Sequence, residues 1–278
     1  MKNIANKVIV WIKEKMNFFN KSSSPIEPAK QSATQTRLGV REPYFYKEYY
    51  DEVMIKLILF TENIEKQYRQ LIAERGPEFD GFKTSEFMLA DDRIIKLTIA
   101  YSRGDEISSL IPVYNQAVNH FIKSWQADYI YNHVLRIISL GWLLDQHGES
   151  LRRVAALLVR EQFEDAVIGY MLRPIDSQIT VPNQVMFPDD KGLVLLQSIT
   201  QNTSQEAAIK LKNYLEEHWY TADNLSTRFN SHKKSSGGHI GYWSFEAGAI
   251  TKIMGLDDSS FKDNPFYPYD LVHWQDGL

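Results

Sequence analysis

Fifteen residues near the C-terminal end, YWSFEAGAITKIMGL at 242–256, restrict the fold more than any other stretch of this chain. Stepped at about 100° per residue, they separate into two faces. Tyr242, Trp243, Phe245, Ala247, Ala249, Ile250, Ile253, Met254 and Leu256 share a broad apolar arc, and Ser244, Gly248, Thr251, Lys252 and Gly255 lie opposite. The pattern predicts an amphipathic helix over 242–256 with one side against a core. One residue contradicts its surroundings. Glu246 falls near the middle of the apolar arc, at helical spacing from Tyr242, Trp243, Ala249, Ile250 and Ile253.

A carboxylate in that position must be paired, hydrogen-bonded or protonated, because burying it unpaired costs several kcal/mol. Two roles fit. Glu246 is either an interior pin accepting bonds from a buried Tyr, Trp, His, Arg or helix N-terminus, or a general acid–base working with a histidine such as His232 or His239. The sequence offers no second carboxylate at a telling spacing, which favours the pin. Beyond the helix, Gly255 suits a C-terminal stop with Leu256 making an apolar contact behind it. Asp257 or Asp258 is placed to cap a short turn through SSFK, and Asp270 to cap a last turn through LVHW after Pro265 and Pro268.

The rest of the chain carries the same helical period. Patterns run over 43–75, ended by Gly76-Pro77, over 84–101, over 106–145 with a break near 125–128, over 149–172, and over 193–200 and 204–220, with Ser204 as the expected N-cap. A further short helix is expected at 223–229. The prolines at 174, 182 and 188 mark the best boundary between subdomains. The Tyr44, Phe45, Tyr46, Tyr49, Tyr50 cluster has acids beside its one lysine, so it reads as core and not as a base-stacking platform. The polar segment NSHKKSSGGHIG at 230–241 reads as a surface loop and lacks the Lys-Ser/Thr of a phosphate loop. His120, His133 and His147 are too scattered for a metal set. No cofactor and no metal are expected.

Residues 1–37 stand apart. They carry a net charge of +5, against −2 for 38–160 and −7 for 161–278. Ile4, Val8, Trp11, Ile12 and Phe19 make an amphipathic helical stripe among lysines, followed by a polar, proline-containing linker. Such a helix lies on an anionic membrane surface or docks on the protein body or a second copy, and the pattern favours docking. The apolar run VIVWI is too short to span a bilayer. With no cysteine, disulfides and thiolate metal sites are excluded, in keeping with a cytoplasmic protein. The acidic C-terminal half repels a nucleic-acid backbone and attracts a basic protein.

The run GYWSFEAGAITKIMGLDDSS followed by YPYDLVH is similar to the C-terminal signature of PoNi-type immunity proteins, which neutralise PoNe DNase toxins of type VI secretion and related polymorphic toxin systems. EEHWY at 216–220, SHKK at 231–234, IAYSRGDEI at 99–107 and VREPYFYKEYY at 40–50 extend the resemblance over 38–273. It implies an all-helical, non-enzymatic inhibitor whose partner is a toxin.

The expectation is therefore an all-α protein. Residues 1–37 form a helix and linker, 38–172 an N-terminal helical subdomain and 173–278 a C-terminal one. Glu216, Glu217, Asp223, Asp257 and Asp258 are the acids expected to meet a toxin, and Tyr242, Trp243, Glu246, Tyr269 and Asp270 are expected to hold the fold. A helical adaptor with an unrelated partner, or an enzyme built on Glu246 and a histidine, are the alternatives.

Overall fold

The computed structural model describes residues 39–77, 79, 81–126, 131–145, 148–186, 191–225, 228–234 and 238–276, with only the backbone of 191–193. The expectations for residues 1–37 lie outside these. Among the described residues the regular structure is all helical, with no strand. Two compact units emerge: residues 1–129 with 230–241, and residues 130–229 with 242–278. The expected boundary at 172/173 falls inside the second unit. The prolines there interrupt the chain locally, but the helices on either side of them pack together.

The first unit contains α1 (Lys47–Arg75), α2 (Phe82–Arg103) and α3 (Ile111–Ser124), the last entered through a 3-10 turn at Ile107–Leu110. Helix α2 lies between α1 and α3. Its Leu89, Ile94, Leu97, Ile99 and Tyr101 are all buried, so residues on every side of it leave water. Helix α1 starts four residues later than Pro43 and ends at Gly76, whose positive φ frees its N–H to cap the Ile72 carbonyl at 2.9 Å. At the far end of α2, Gly104 (φ +97°) receives the backbone of Gly39. An added Cβ would sit 1.8 Å from the Gly39 carbonyl oxygen, so glycine is obligatory. The Arg103-Gly104-Asp105 triplet is a turn at the end of α2. Arg103 binds the side chains of both Asp105 and Asp51.

The second unit contains α4 (Tyr131–Leu144), α5 (Glu149–Arg160), α6 (Ala166–Leu172), α7 (Lys191–Ile199), α8 (Ser204–Asn213), α9 (Ala222–Leu225), α10 (Phe245–Met254) and α11 (Tyr269–His273). Helix α10 packs along α4 and is covered by α11. Asp165 caps α6, taking the N–H groups of Val167 and Ile168 on one oxygen and that of Met186 on the other. That buried carboxylate fastens the proline-rich connection to the helix it leaves, and no strand forms at 178–181. Helix α8 is capped by Thr203, one residue before the expected Ser204. It then runs into a π-helical turn at Tyr214–Trp219.

Candidate partner-binding surface

Helix α10 is shorter than its hydrophobic period. Gly241 takes φ +105°, residues 242–244 lie outside any helix, and the Ser244 N–H donates to the Phe266 carbonyl at 2.8 Å before the helix opens at Phe245. Tyr242 and Trp243 are buried even so, from the approach segment instead of the helix. Part of the expected polar face is also buried: Ser244, Gly248 and Thr251 are, whereas Lys252 is half-buried and Gly255 exposed. Gly248 and Thr251 face the covering segment, and a Cβ on Gly248 would stand 2.9 Å from Pro268 Cγ and 3.1 Å from Val272 Cγ2. The stop arrived as expected: Gly255 adopts the left-handed conformation and caps Thr251, with Leu256 buried behind it.

Glu246, 5% exposed, accepts the Tyr214 hydroxyl at 3.1 Å. It sits in the first turn of α10, where unpaired N–H groups favour a negative charge. Tyr214 and Trp219 lie five residues apart, and the wider i→i+5 turn of the π-helix brings such a pair onto one side. Trp219 Nε1 donates to the Tyr242 carbonyl at 2.6 Å, so both ends of the π turn grip the start of α10. The same turn throws Glu216, Glu217 and His218 outward, all three exposed. The EEHWY motif thus has an inward half and an outward half.

The other acids divide. Asp223 on α9 and Asp257 are exposed, and Glu216 stands 3.8 Å from Lys212. Hydrogen bonds from Ser259 hold the Asp257 carboxyl below the ordinary carboxylate range. Asp258 corrects the expectation. It is buried, accepting the Tyr267 hydroxyl at 2.7 Å and His273 Nε2 at 2.8 Å. Two adjacent aspartates in a turn leave their sequence no means of choosing which turns inward. His273 is also 2.5 Å from Asp276; burial alone would lower its pKa, but bonds to both carboxylates outweigh that and raise it. Tyr269 is a second correction: 41% exposed, it rests its ring beside His273 and lies outside the core. Asp270 is half-exposed inside the first turn of α11, whose N-cap position belongs to Pro268.

The histidine pairing imagined for Glu246 is replaced by another. His239, at 0% exposure, places Nε2 2.8 Å from Glu42 Oε1 and Nδ1 2.9 Å from Ser231 Oγ. A carboxylate oxygen only accepts, so Nε2 carries the hydrogen. The other Glu42 oxygen takes the Tyr50 hydroxyl at 2.7 Å and the Tyr44 N–H at 2.8 Å. The Tyr49 hydroxyl receives the His239 N–H and donates to its carbonyl, and Ser102 Oγ donates to Ile240 O. Residues 230–241, expected as a surface loop, are in this way stitched into the first unit. Ser231, His239 and Glu42 line up as in a proton relay, but all three are buried and their polar atoms are spent on one another, which makes the group a clamp. Another buried acid, Glu86, receives Tyr68 and His120. Burial pushes its carboxyl up, and the bonds from His120 and Tyr68 outweigh that and hold it low. Among the described residues no cluster of three or more ligands is placed to hold a metal, and no helix is long and apolar enough to cross a membrane.

Comparison with known proteins divides the chain at a different place from the two compact units. Residues 41–156 match the family model described as PoNe immunity protein (PoNi), N-terminal, and residues 163–271 the one described as PoNe immunity proteins (PoNi), C-terminal. Protein PA2201 from Pseudomonas aeruginosa, known from its crystal structure, is similar over 98% of this chain and 96% of its own, with a TM-score of 0.56 and 16% identity. At that identity the likeness is one of fold. No curated protein matches.

Proposed function

From the premise that this chain belongs to the PoNe immunity protein family, a family of non-enzymatic binding proteins, we propose that it neutralises one cognate toxin, a DNase, by covering its cationic DNA-binding or active-site surface. The observation that carries the reading is the pair of family matches, which together take in nearly all the described chain. The outward acids support it. A surface that binds DNA must be positive, and carboxylates held on a rigid helical body speed encounter with it and exclude wrong partners. Glu216 and Glu217 on the π turn, Asp223 on α9 and Asp257 after α10 are those acids; Asp258 is withdrawn from the set. The family's partner is a toxin made by the same lineage, so the inhibitor works in the cytoplasm of the producing cell, within a type VI secretion or related competition system.

The test is survival. A strain expressing the cognate toxin should grow only when this chain is co-expressed, and a stoichiometric excess of the purified chain should stop the nuclease. Full nuclease activity under that excess would sink the reading.

A further inference from the structure

Residues 230–241 are held more firmly than a polar surface loop requires. Ser231 and His239 bracket the segment, and their buried side chains bond to each other and, through His239, to Glu42. From the first anchor the chain makes a 3-10 turn at Ser231–Lys233. Asn230 opens it at φ +56°, and the Lys233 N–H closes it on the Asn230 carbonyl at 2.9 Å. What the turn presents outward is cationic and aromatic. Lys233 and Lys234 are both exposed. The His232 ring lies on Tyr44, with centroids 4.0 Å apart and planes 17° apart, and Tyr44 is itself 38% exposed. Burial, together with His239 and Lys233, holds the His232 pKa below its ordinary value, so at neutral pH it is an uncharged ring. The twelve residues contain two lysines and no acid, a +2 island in an interval, 161–278, whose net charge is −7. The acids of the segment that Tyr44 belongs to, residues 40–50, do not cancel it. Glu42 is buried and taken by His239 and Tyr50, which leaves Glu48, in the first turn of α1, as the exposed one.

A buried polar clamp carries a desolvation penalty that an apolar plug would not, and its effect is one fixed position for the turn. Binding side chains are characteristically carried on loops that a rigid scaffold positions. We infer that Tyr44, His232, Lys233 and Lys234 are a contact surface for the toxin, and that the group they receive is a cluster of carboxylates on it. This rests on the toxin-binding reading above and deepens it. A DNase has a physical reason to carry such a cluster within an otherwise cationic cleft, because a divalent cation that assists phosphodiester hydrolysis is held by carboxylates. Two ammonium groups meet those oxygens as compact charges with rotatable donors. The Tyr44–His232 pair adds a flat aromatic surface beside them that keeps water from the ion pairs. The outward acids of the second unit answer the cationic part of the toxin's surface, and this turn answers its acidic part. Phosphate is the other anion that lysines take. Affinity for a nucleic acid grows with the number of phosphates neutralised, however, and two lysines on a chain of net charge −4 neutralise few.

The experiment uses the full chain and the purified cognate toxin. Both substituted side chains are exposed, so K233E/K234E should keep the wild-type melting temperature and bind toxin at least about 30-fold more weakly by calorimetry. Carbodiimide joins an amine to a carboxylate in direct contact. With the wild-type chain it should link Lys233 or Lys234 to an Asp or Glu of the toxin, located by peptide mass spectrometry. That measurement decides alone if K233E/K234E fails to fold. Wild-type chain that does not bind toxin at all would remove the toxin-binding reading and this inference together. Binding retained within about 3-fold by K233E/K234E would overturn the inference and leave that reading intact. Weaker binding with no cross-link at either lysine would overturn it as well, since the loss would then be repulsion acting from a distance. It is equally overturned if the isolated wild-type chain binds a short DNA duplex and K233E/K234E does not, because the anion would then be phosphate.

Discussion

The two units secure a distant piece of chain in opposite ways. In the first, residues 230–241 arrive from the far side of the sequence and are held by polar atoms: Glu42 to His239, Tyr49 to the His239 backbone, Ser102 to Ile240. In the second, α10 lies in close contact with α4 and the 267–272 segment, and its polar bonds gather at its start, from Tyr214 to Glu246 and from Trp219 to the Tyr242 carbonyl. Asp258 fastens the covering segment through Tyr267 and His273. A polar clamp fixes one geometry, and each member depends on the others because any orphaned group inside bears its full desolvation penalty. Apolar packing is graded, and yields in proportion to the volume changed. The lesson is that one fold family can set its halves with different stiffness.

The largest expected effect lies in the clamp. Glu42→Ala removes the carboxylate that His239, the Tyr50 hydroxyl and the Tyr44 N–H share, and should cost about 3–5 kcal/mol by urea denaturation. A loss under about 1 kcal/mol would mean that the network is not cooperative. Next comes Gly248→Val, which drives new atoms into Pro268 and Val272 and should cost about 1–3 kcal/mol. Glu246→Gln keeps an acceptor for Tyr214 and should cost only about 1 kcal/mol. If it matched Glu42→Ala, the contrast between the units would collapse.

A smaller effect is set by pH. His273 titrates above its ordinary value in the folded chain because Asp258 and Asp276 stabilise its charged form. The stability it contributes is complete below the unfolded pKa of about 6.5 and disappears as pH rises through the higher folded value. His273→Gln should flatten the melting-temperature profile across that window. A wild-type profile already flat there would show that α11 is held without the charge. The smallest effect on stability belongs to the outward acids. Charge reversal at Glu216 and Glu217 should move stability by less than about 0.5 kcal/mol while slowing toxin association and weakening its salt dependence. A collapse in melting temperature would make them structural instead.

How much of this the sequence revealed depends on distance along the chain. Gly76, Gly255, the break after Ser124 and the cap of α8 to within one residue were legible, because each is settled by atoms a few positions away. Glu246 announced its burial by sitting among apolar neighbours at helical spacing, but Tyr214, its partner, lies 32 residues off and the π turn that aims it has no period of its own. His239 was read as exposed since its neighbours are Gly, Ser and Lys, and only Glu42, 197 residues away, makes the interior habitable for it. The exposed side of α1 was hidden for another reason. Ile55, Ile58 and Leu59 share the helical period of Val53, Met54 and Leu57, and only the packing of α2 shows which half is covered.

The amino-acid sequence on its own determined that the chain would be helical, where its helices would stop, and to which family it is similar, since period, capping and motif are properties of short stretches. The tertiary structure alone decided that residues 230–241 join the first unit, that Asp258 turns in while Asp257 stays out, and that Ile55 and Leu59 remain in water. Each of those outcomes depends on which distant surface arrives to desolvate a side chain, and local spacing carries no record of that.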